Sequence, residues 1–562
     1  MSKARETVET LRTVLVDGDV TNANFTGADL EVGKGGTGAS SAGAARTALG
    51  VAIGTDVLAP NGSAANLTNL PASGAADFVA SGTLPNGKPV ILKANGQVEV
   101  VAESATSIAE SIPAGSEVVY NSGTTNGSAT AFDPNTPNNF VVVYKDNSSA
   151  SEGTSVVGTV SGTTISFGTP VVFDSAATNL PSISFDPNTA GKFVVAYTNS
   201  LNKGTAIVGT VSGTTVSFGS KVTFESSGSA YNILTFDPNT TGKFVVTYQR
   251  QTSPYDGVAI VGTLSGTSTS YGTAVVFNSG TTYPHAISFD PNTATKFVLA
   301  FQDGPNDNSG TAIVGTVSGT SVSFGTEVVF NSGTSANMGI AFDPANANKF
   351  VVVYQDGSES GGYTNAGTAI VGTVSGTTVS FGTEVVFNSG NTPQNRIAFD
   401  PNTATKFVVV YRDIGDSGHG GCRVGAISGT TVSFGTATFF NSASTSEIGL
   451  AIDTNSAGKF VVAYKDSGNS NYGTAVLGQI ATTVTTTNVT AANFLGTATA
   501  AYTNGQTAKI MLQGGISTNQ SSLAIGSTYY VQPAGTLTTS AGTPSVVAGK
   551  AISATTLLLK GI

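Results

Sequence analysis

Read for its apolar positions, the middle of the chain repeats itself. A run that is apolar at nearly every position, Lys349-Phe350-Val351-Val352-Val353-Tyr354 in its clearest copy, returns as KFVVAY, KFVVTY and close variants. Such a run cannot be half-buried, so it predicts a strand covered on both faces. Each copy follows a register mark, Phe-Asp-Pro-Asn or a variant, at Phe132, Phe185, Phe236, Phe289, Phe342 and Phe399, with Ile452 in a degenerate copy. The marks are spaced 53, 51, 53, 53, 57 and 53 residues apart. Between them lie GTAIVGTVSGTTVSFGT and EVVFNSG, best kept at Gly310 to Gly333 and Gly367 to Gly390. Each unit therefore holds four strand candidates in chain order: A (TVSFGTEVVF), B (xISFD), C (KFVVVY) and D (GTAIVGTVSG). All four are rich in the β-branched and aromatic residues that suit a pleated backbone.

Four antiparallel strands per unit, a period near 50 residues and seven copies between Glu117 and Ile480 predict an all-β, seven-bladed β-propeller. Solenoid rungs are shorter, and immunoglobulin-like domains need about 100 residues each. The first unit starts at Ser116-Glu117-Val118-Val119-Tyr120 without TTVSFGT, and the last stops after Gly473 to Ile480. Strand A of the first blade is thus expected from the N-terminal side, with first and last blades pairing side by side.

Because successive strands alternate direction, A–B and C–D loops share one face of the disc and B–C and D–A turns the other. The copies differ sharply between the two. B–C (DPNT) and D–A (SGTT) hardly vary, and Asp-Pro-Asn-Thr is a β-turn with its Pro preset. The A–B and C–D loops differ from blade to blade, and they hold the candidate binding residues Tyr231, Asn232, Arg250, Tyr255, Tyr283, His285, Tyr363, Arg396, His419 and Tyr472. These residue types stack on and hydrogen-bond sugars and protein surfaces. Strand A begins and strand D ends on the uniform face, which leaves the varied face unobstructed.

Composition removes several classes. The net charge is −10 and Lys and Arg are scattered singly, which excludes a nucleic-acid footprint. Cys422 stands alone, so no disulfide framework or Cys-x-x-Cys metal site exists. The start, MSKARETVETLRTV, has no apolar core of a signal peptide, and no run of eighteen apolar residues occurs, so neither export by that route nor membrane insertion is expected. His285 and His419, in different repeats, make no metal motif, and neither cofactor nor metal is expected. No catalytic motif is found. The Asp after strand C (Asp146, Asp303, Asp356, Asp413, Asp466) gives way to Asn199 and Arg250 in two blades, which favours a local turn role over a cation ring.

Outside the array, Gly35-Gly36-Thr37-Gly38-Ala39-Ser40 through Ala45-Arg46-Thr47-Ala48-Leu49-Gly50 reads as a Gly turn, a Ser cap and one short helix. This string resembles an element of the N-terminal and shaft regions of tailed-phage fibre proteins. The stretch from Asn493 to Val531 resembles small β-modules of marine phage or cyanophage structural proteins. The resemblance implies a tail-fibre or receptor-binding protein of a virion, assembled in the host cytoplasm and usually homotrimeric, whose partners are a host cell-surface glycan or outer-membrane protein and other tail proteins. The expected organisation is an attachment and shaft region over 1–70, a small β-module over 71–115, the propeller over 116–482 and a small C-terminal β-domain over 483–562. Two other readings are weighed: an architectural virion adaptor or spacer, and a glycan depolymerase.

Overall fold

The computed structural model describes residues 74–358 and 364–560. The attachment segment expected over 1–70, with its short helix, and Tyr363 lie outside the described residues.

The array is a seven-bladed β-propeller. In the third blade, strand B is Ser229–Phe236, C is Lys243–Arg250 and D is Gly257–Ser265. Strand A comes in two pieces, Ser268–Tyr271 and Val275–Asn278, both paired along the free edge of D. The B strands pack against one another in a closed ring about the axis. Strand C is covered on both faces as its unbroken apolar run requires: Phe350, Val351, Val352, Val353 and Tyr354 are all 0% exposed. One glycine per blade makes this packing fit. In strand D it sits opposite the Phe of strand C, and in blade four a Cβ on Gly315 would fall 2.0 Å from the ring of Phe297.

Two expectations are corrected. The sequence grouping placed strand A at the head of its own blade, but A pairs with the D strand before it, so a blade is B–C–D–A. The physical reason is local: D and A are joined by a tight Ser-Gly turn, with Gly213 at φ 61° in blade two, whereas A and B run on as one strand in Val328–Phe342. The segment around Glu117 therefore completes the seventh blade rather than the first. Val118 and Val119 pair with Ala475 and Thr474 of the last D strand. Tyr464 donates its hydroxyl to Glu117 Oε1 at 2.8 Å across the same seam.

The second correction concerns the flanks. Ala75–Val79, Pro89–Leu92 and Val98–Val100 share a five-stranded sheet with Phe494–Ala498 and Thr507–Leu512. The two flanking modules are thus one compact unit built from both ends of the described chain, and the propeller spans Ser107–Val484. A second five-stranded sheet, Ile516 to Leu559, shares that unit's core through Val531, Ala548 and Leu557, packed with Ile91 and Phe494.

On the uniform face of the propeller the Asp-Pro-Asn turns are stapled twice. Asp133 Oδ1 accepts the N–H of Asn135 at 3.0 Å, and the same bond recurs in every blade through Asp453 and Asn455 at 2.9 Å. The Asn amide then donates to the next blade's turn: Asn135 to the Pro187 carbonyl (3.1 Å), Asn188 to Pro238 (3.3 Å) and so on, until Asn455 reaches Pro134 (3.0 Å) and closes the circle. Blade five, with Ala345 at this place, lacks the link. Ser111 and Gln479 bond each other's backbone in both directions, at 2.9 and 2.8 Å, so the chain enters and leaves the disc side by side. They do so at the end of strand D that lies opposite Lys459, next to these turns.

Candidate functional site

The first residues of the seven B strands converge on the propeller axis and line a cavity of about 490 Å³. Its mouth is set in six blades by one register position, five residues before the Phe-Asp mark or its variant: Gly127, Leu180, Tyr231, Asn337, Gln394 and Glu447. All six carry a left-handed backbone: φ is 58° at Gly127, 46° at Leu180, 53° at Tyr231, 49° at Asn337, 61° at Gln394 and 55° at Glu447. A pairing shift marks the site in six blades, for example between Ala230 and Ile233 and between Ser446 and Gly449. A bulge of this kind re-aims one side chain. For Leu, Tyr, Gln or Glu the conformation costs about 1–2 kcal/mol each. The frame repeats around the axis while the side chain it presents changes in every blade.

Two charged residues line the cavity, Arg396 and Glu447. Arg396 stands where the other blades have Ala129, Ser182, Ile233, Ala286, Gly339 and Gly449. The Arg396 side chain is solvent-exposed and lines the cavity, and desolvation by the protein packed around it lowers its pKa, with Glu447 opposing. Among the described residues no carboxylate lies within ion-pair distance of it. Its Nη1 donates to the Asn395 carbonyl at 2.9 Å. Glu447 Oε2 accepts the N–H of Gly127 at 2.9 Å, bridging the seventh and first blades. Tyr231 meets Tyr283 edge to face, with ring centroids 5.4 Å apart, and burial followed by the Tyr283 neighbour raises its pKa. Two buried amide oxygens, on Asn232 and Gln394, have no hydrogen-bond partner, and both residues line the cavity.

The ten residues singled out from sequence divide into groups. Tyr231, Asn232 and Arg396 line the axial cavity, and Tyr283 joins them through its ring contact. His285 lies in the B strand Thr282–Phe289 beside them. Arg250 and Tyr255 sit instead at the C–D loop of blade three. Arg250 is engaged internally, 3.6 Å from Glu225 and 3.7 Å from Asp256, while Tyr255 stands exposed. His419 starts strand D of blade six, with Asp416 at 3.6 Å and its ring against Phe439, and Tyr472 lies at the closing seam. Asn232 is 2% exposed and donates to Thr198 at 2.8 Å, so it braces blade three against blade two as well as lining the cavity. Of the mouth residues the ten include Tyr231 and omit Gly127, Leu180, Asn337, Gln394 and Glu447. Counting five residues back from every mark, the degenerate Ile452 included, finds all of them.

The recurrent Asp after strand C caps its own turn in three blades, whereas Asp303 accepts from the Asn278 amide at 2.8 Å and neither Asp303 nor Asp413 makes the turn bond. Asp146, Asp356 and Asp466 accept the N–H two residues on at 3.0, 2.9 and 2.9 Å, and Asn199 does the same at 2.9 Å. Among the described residues no group of three or more His, Cys, Asp or Glu is placed to hold a metal ion. A depression of about 530 Å³ in the other unit is lined by polar loops whose amides bond one another, Asn519 to Asn86 at 2.7 Å and Gln520 to the Gly87 carbonyl at 2.9 Å. The axial cavity, with a cation and two unpartnered acceptors, is the better binding site.

Fold and cavity together define a seven-bladed β-propeller with an axial site on its varied face. No family model matches the chain, and no curated protein does. Among solved structures it is similar to Sqt1 from Chaetomium thermophilum, with a TM-score of 0.41 and 12% identity over 64% of this chain and 85% of that one. It is also similar to the BP39L lectin from Burkholderia pseudomallei, with a TM-score of 0.47 and 11% identity over 62% of this chain and 94% of that one. The blade count and order stand on the strand pairing itself.

Proposed function

We propose that this chain is the receptor-binding component of a tailed-phage tail fibre, and that its propeller attaches the virion to a host cell-surface glycan or outer-membrane protein without chemical conversion of it. One observation carries the reading: the contrast between the two faces of the disc. The face where the chain enters and leaves is built from near-identical, mutually stapled turns. The other offers an axial cavity whose mouth holds six different residues in six blades, on a left-handed backbone that they share. Strain kept at one register position is explained by what the side chains meet, since a glycine such as Gly127 satisfies the fold without it. The fibre-like string at Gly35 to Gly50 supplies the virion context. Binding is favoured over glycan cleavage because hydrolysis needs a pair of carboxyl groups, and Glu447 is the one carboxylate among the described lining residues.

The test is adsorption. Fluorescently labelled purified chain should stain host cells and compete with infecting virions. A chain that neither stains nor competes would make it an architectural virion part, and oligosaccharide released from host polysaccharide would make it a depolymerase.

A further inference from the structure

We infer that the axial cavity binds a saccharide residue bearing a carboxylate, with Arg396 holding the carboxylate and Tyr231 offering its ring to the sugar. This rests on the receptor-binding reading and names the chemistry of its ligand.

Arg396 comes first. At its register position the other blades carry Ala, Ser, Ile or Gly, so the ring of inner strands closes without a long side chain there. Among the described residues the guanidinium makes one hydrogen bond, to the Asn395 carbonyl at 2.9 Å, and no carboxylate pairs with it. A guanidinium has five donors in a planar fork that matches a carboxylate. A guanidinium that opens onto the cavity, attracted by Glu447 but not paired with it, leaves its donor fork to an anionic ligand.

The rest of the lining asks for hydroxyl groups. Asn232 is 2% exposed and its Oδ1 has no partner, and Gln394 Oε1 likewise has none. Glu447 adds acceptor capacity while its Oε2 is tied to Gly127. Tyr231, held edge to face by Tyr283, is 37% exposed and provides an apolar ring. Unpartnered acceptors, one cation and one aromatic face describe a ligand rich in donors that also carries a carboxylate. A sugar acid fits. A peptide C-terminus brings the carboxylate with fewer hydroxyl donors. The cavity volume of about 490 Å³ is within the range of small-molecule sites, roughly 300–1,000 Å³.

The inference makes opposed predictions for the two charges. Methyl glucuronide and N-acetylneuraminic acid are titrated into the full chain by calorimetry, with methyl glucoside as the neutral counterpart and acetyl-dialanine as the peptide carboxylate. Arg396→Gln should weaken sugar-acid binding at least tenfold, and Arg396→Lys should retain part of it. Glu447→Gln should strengthen it several-fold by removing a like charge. Thermal melts of all three variants must match the parent for the comparison to count, and Arg396→Lys keeps the test open should the Gln variant misfold. Equal binding of glucoside and glucuronide, tighter binding of acetyl-dialanine, no binding of either sugar acid, or an unchanged affinity in both Arg396 variants would each overturn the inference. Host-cell staining is measured alongside. Staining that survives while sugar acids fail to bind rejects the ligand but keeps the receptor reading. Sugar-acid binding without staining rejects the receptor reading alone.

Discussion

Replacing Gly315 with alanine tests the packing that makes each blade. A Cβ at this position would lie 2.0 Å from Phe297 Cζ and 2.4 and 2.5 Å from two further ring carbons. Carbon atoms rest at about 3.5–4.0 Å, so the ring would have to retreat by about 1.5 Å. It has nowhere to go: Phe297 is 0% exposed, with ring centroids 5.3 Å from Phe289 and 6.0 Å from Phe324. Overpacking a fixed core costs about 1–3 kcal/mol, and this geometry belongs at the upper end. The expected result is a fall in Tm of roughly 5 °C, followed by circular dichroism of the full chain. Gly319→Asn is the control, because Gly319 has φ 62° with nothing within 4 Å of a Cβ, and Asn tolerates that conformation. Gly315→Ala melting with the parent would refute the claim that these glycines seat the strand C rings.

Further outcomes follow from the turn face and from one carboxylate beside Asp303. Ala345→Asn should supply the missing link in the ring of turn amides, donating to the Pro401 carbonyl as its six counterparts donate to theirs, and raise stability by about 0.5–1 kcal/mol in denaturant titration. Destabilisation would show that the amides are incidental. Partial desolvation, and then Asp303, raise the pKa of the solvent-exposed Glu327 above the ordinary carboxylate value. The folded chain therefore holds that proton more tightly than the unfolded one, and stability falls as pH rises from the ordinary carboxylate range through the raised value. Glu327→Gln should melt above the parent at pH 7, with the gap closing toward pH 4. A gap independent of pH would contradict the assignment.

What could be read in advance was whatever each repeat states about itself. The apolar run of strand C, the Asp-Pro-Asn turn and the alternation of strand direction yielded seven blades and two unlike faces. What could not be read was partnership across repeats. Arg250 looked like a free binding residue because Glu225, its ion-pair partner, lies in the preceding blade. Asn232 is held by Thr198 for the same reason. Chain order leaves strand A free to join either neighbour, although the tight turn at Gly213 and the unbroken run Val328–Phe342 were signs that it joins the D strand before it. The pairing of Ala75–Val79 with Thr507–Leu512 links residues more than 400 apart in the chain and has no local sign at all. Arg396 was picked for its residue type, but its standing as the one charged residue at its register position emerges only when the copies are laid in register.

On the proposed function, the face with the axial cavity meets the host and the stapled face does not. The most direct test compares host-cell staining by two variants of the labelled chain. One strips the cavity mouth with Leu180→Gly, Tyr231→Gly and Gln394→Gly, which relieve left-handed strain and leave the fold about as stable as the parent. The other alters the opposite face with Asn188→Ser and Asn239→Ser, which remove two turn links. Staining should be lost in the first variant and kept in the second. Staining kept in the first and lost in the second would contradict it.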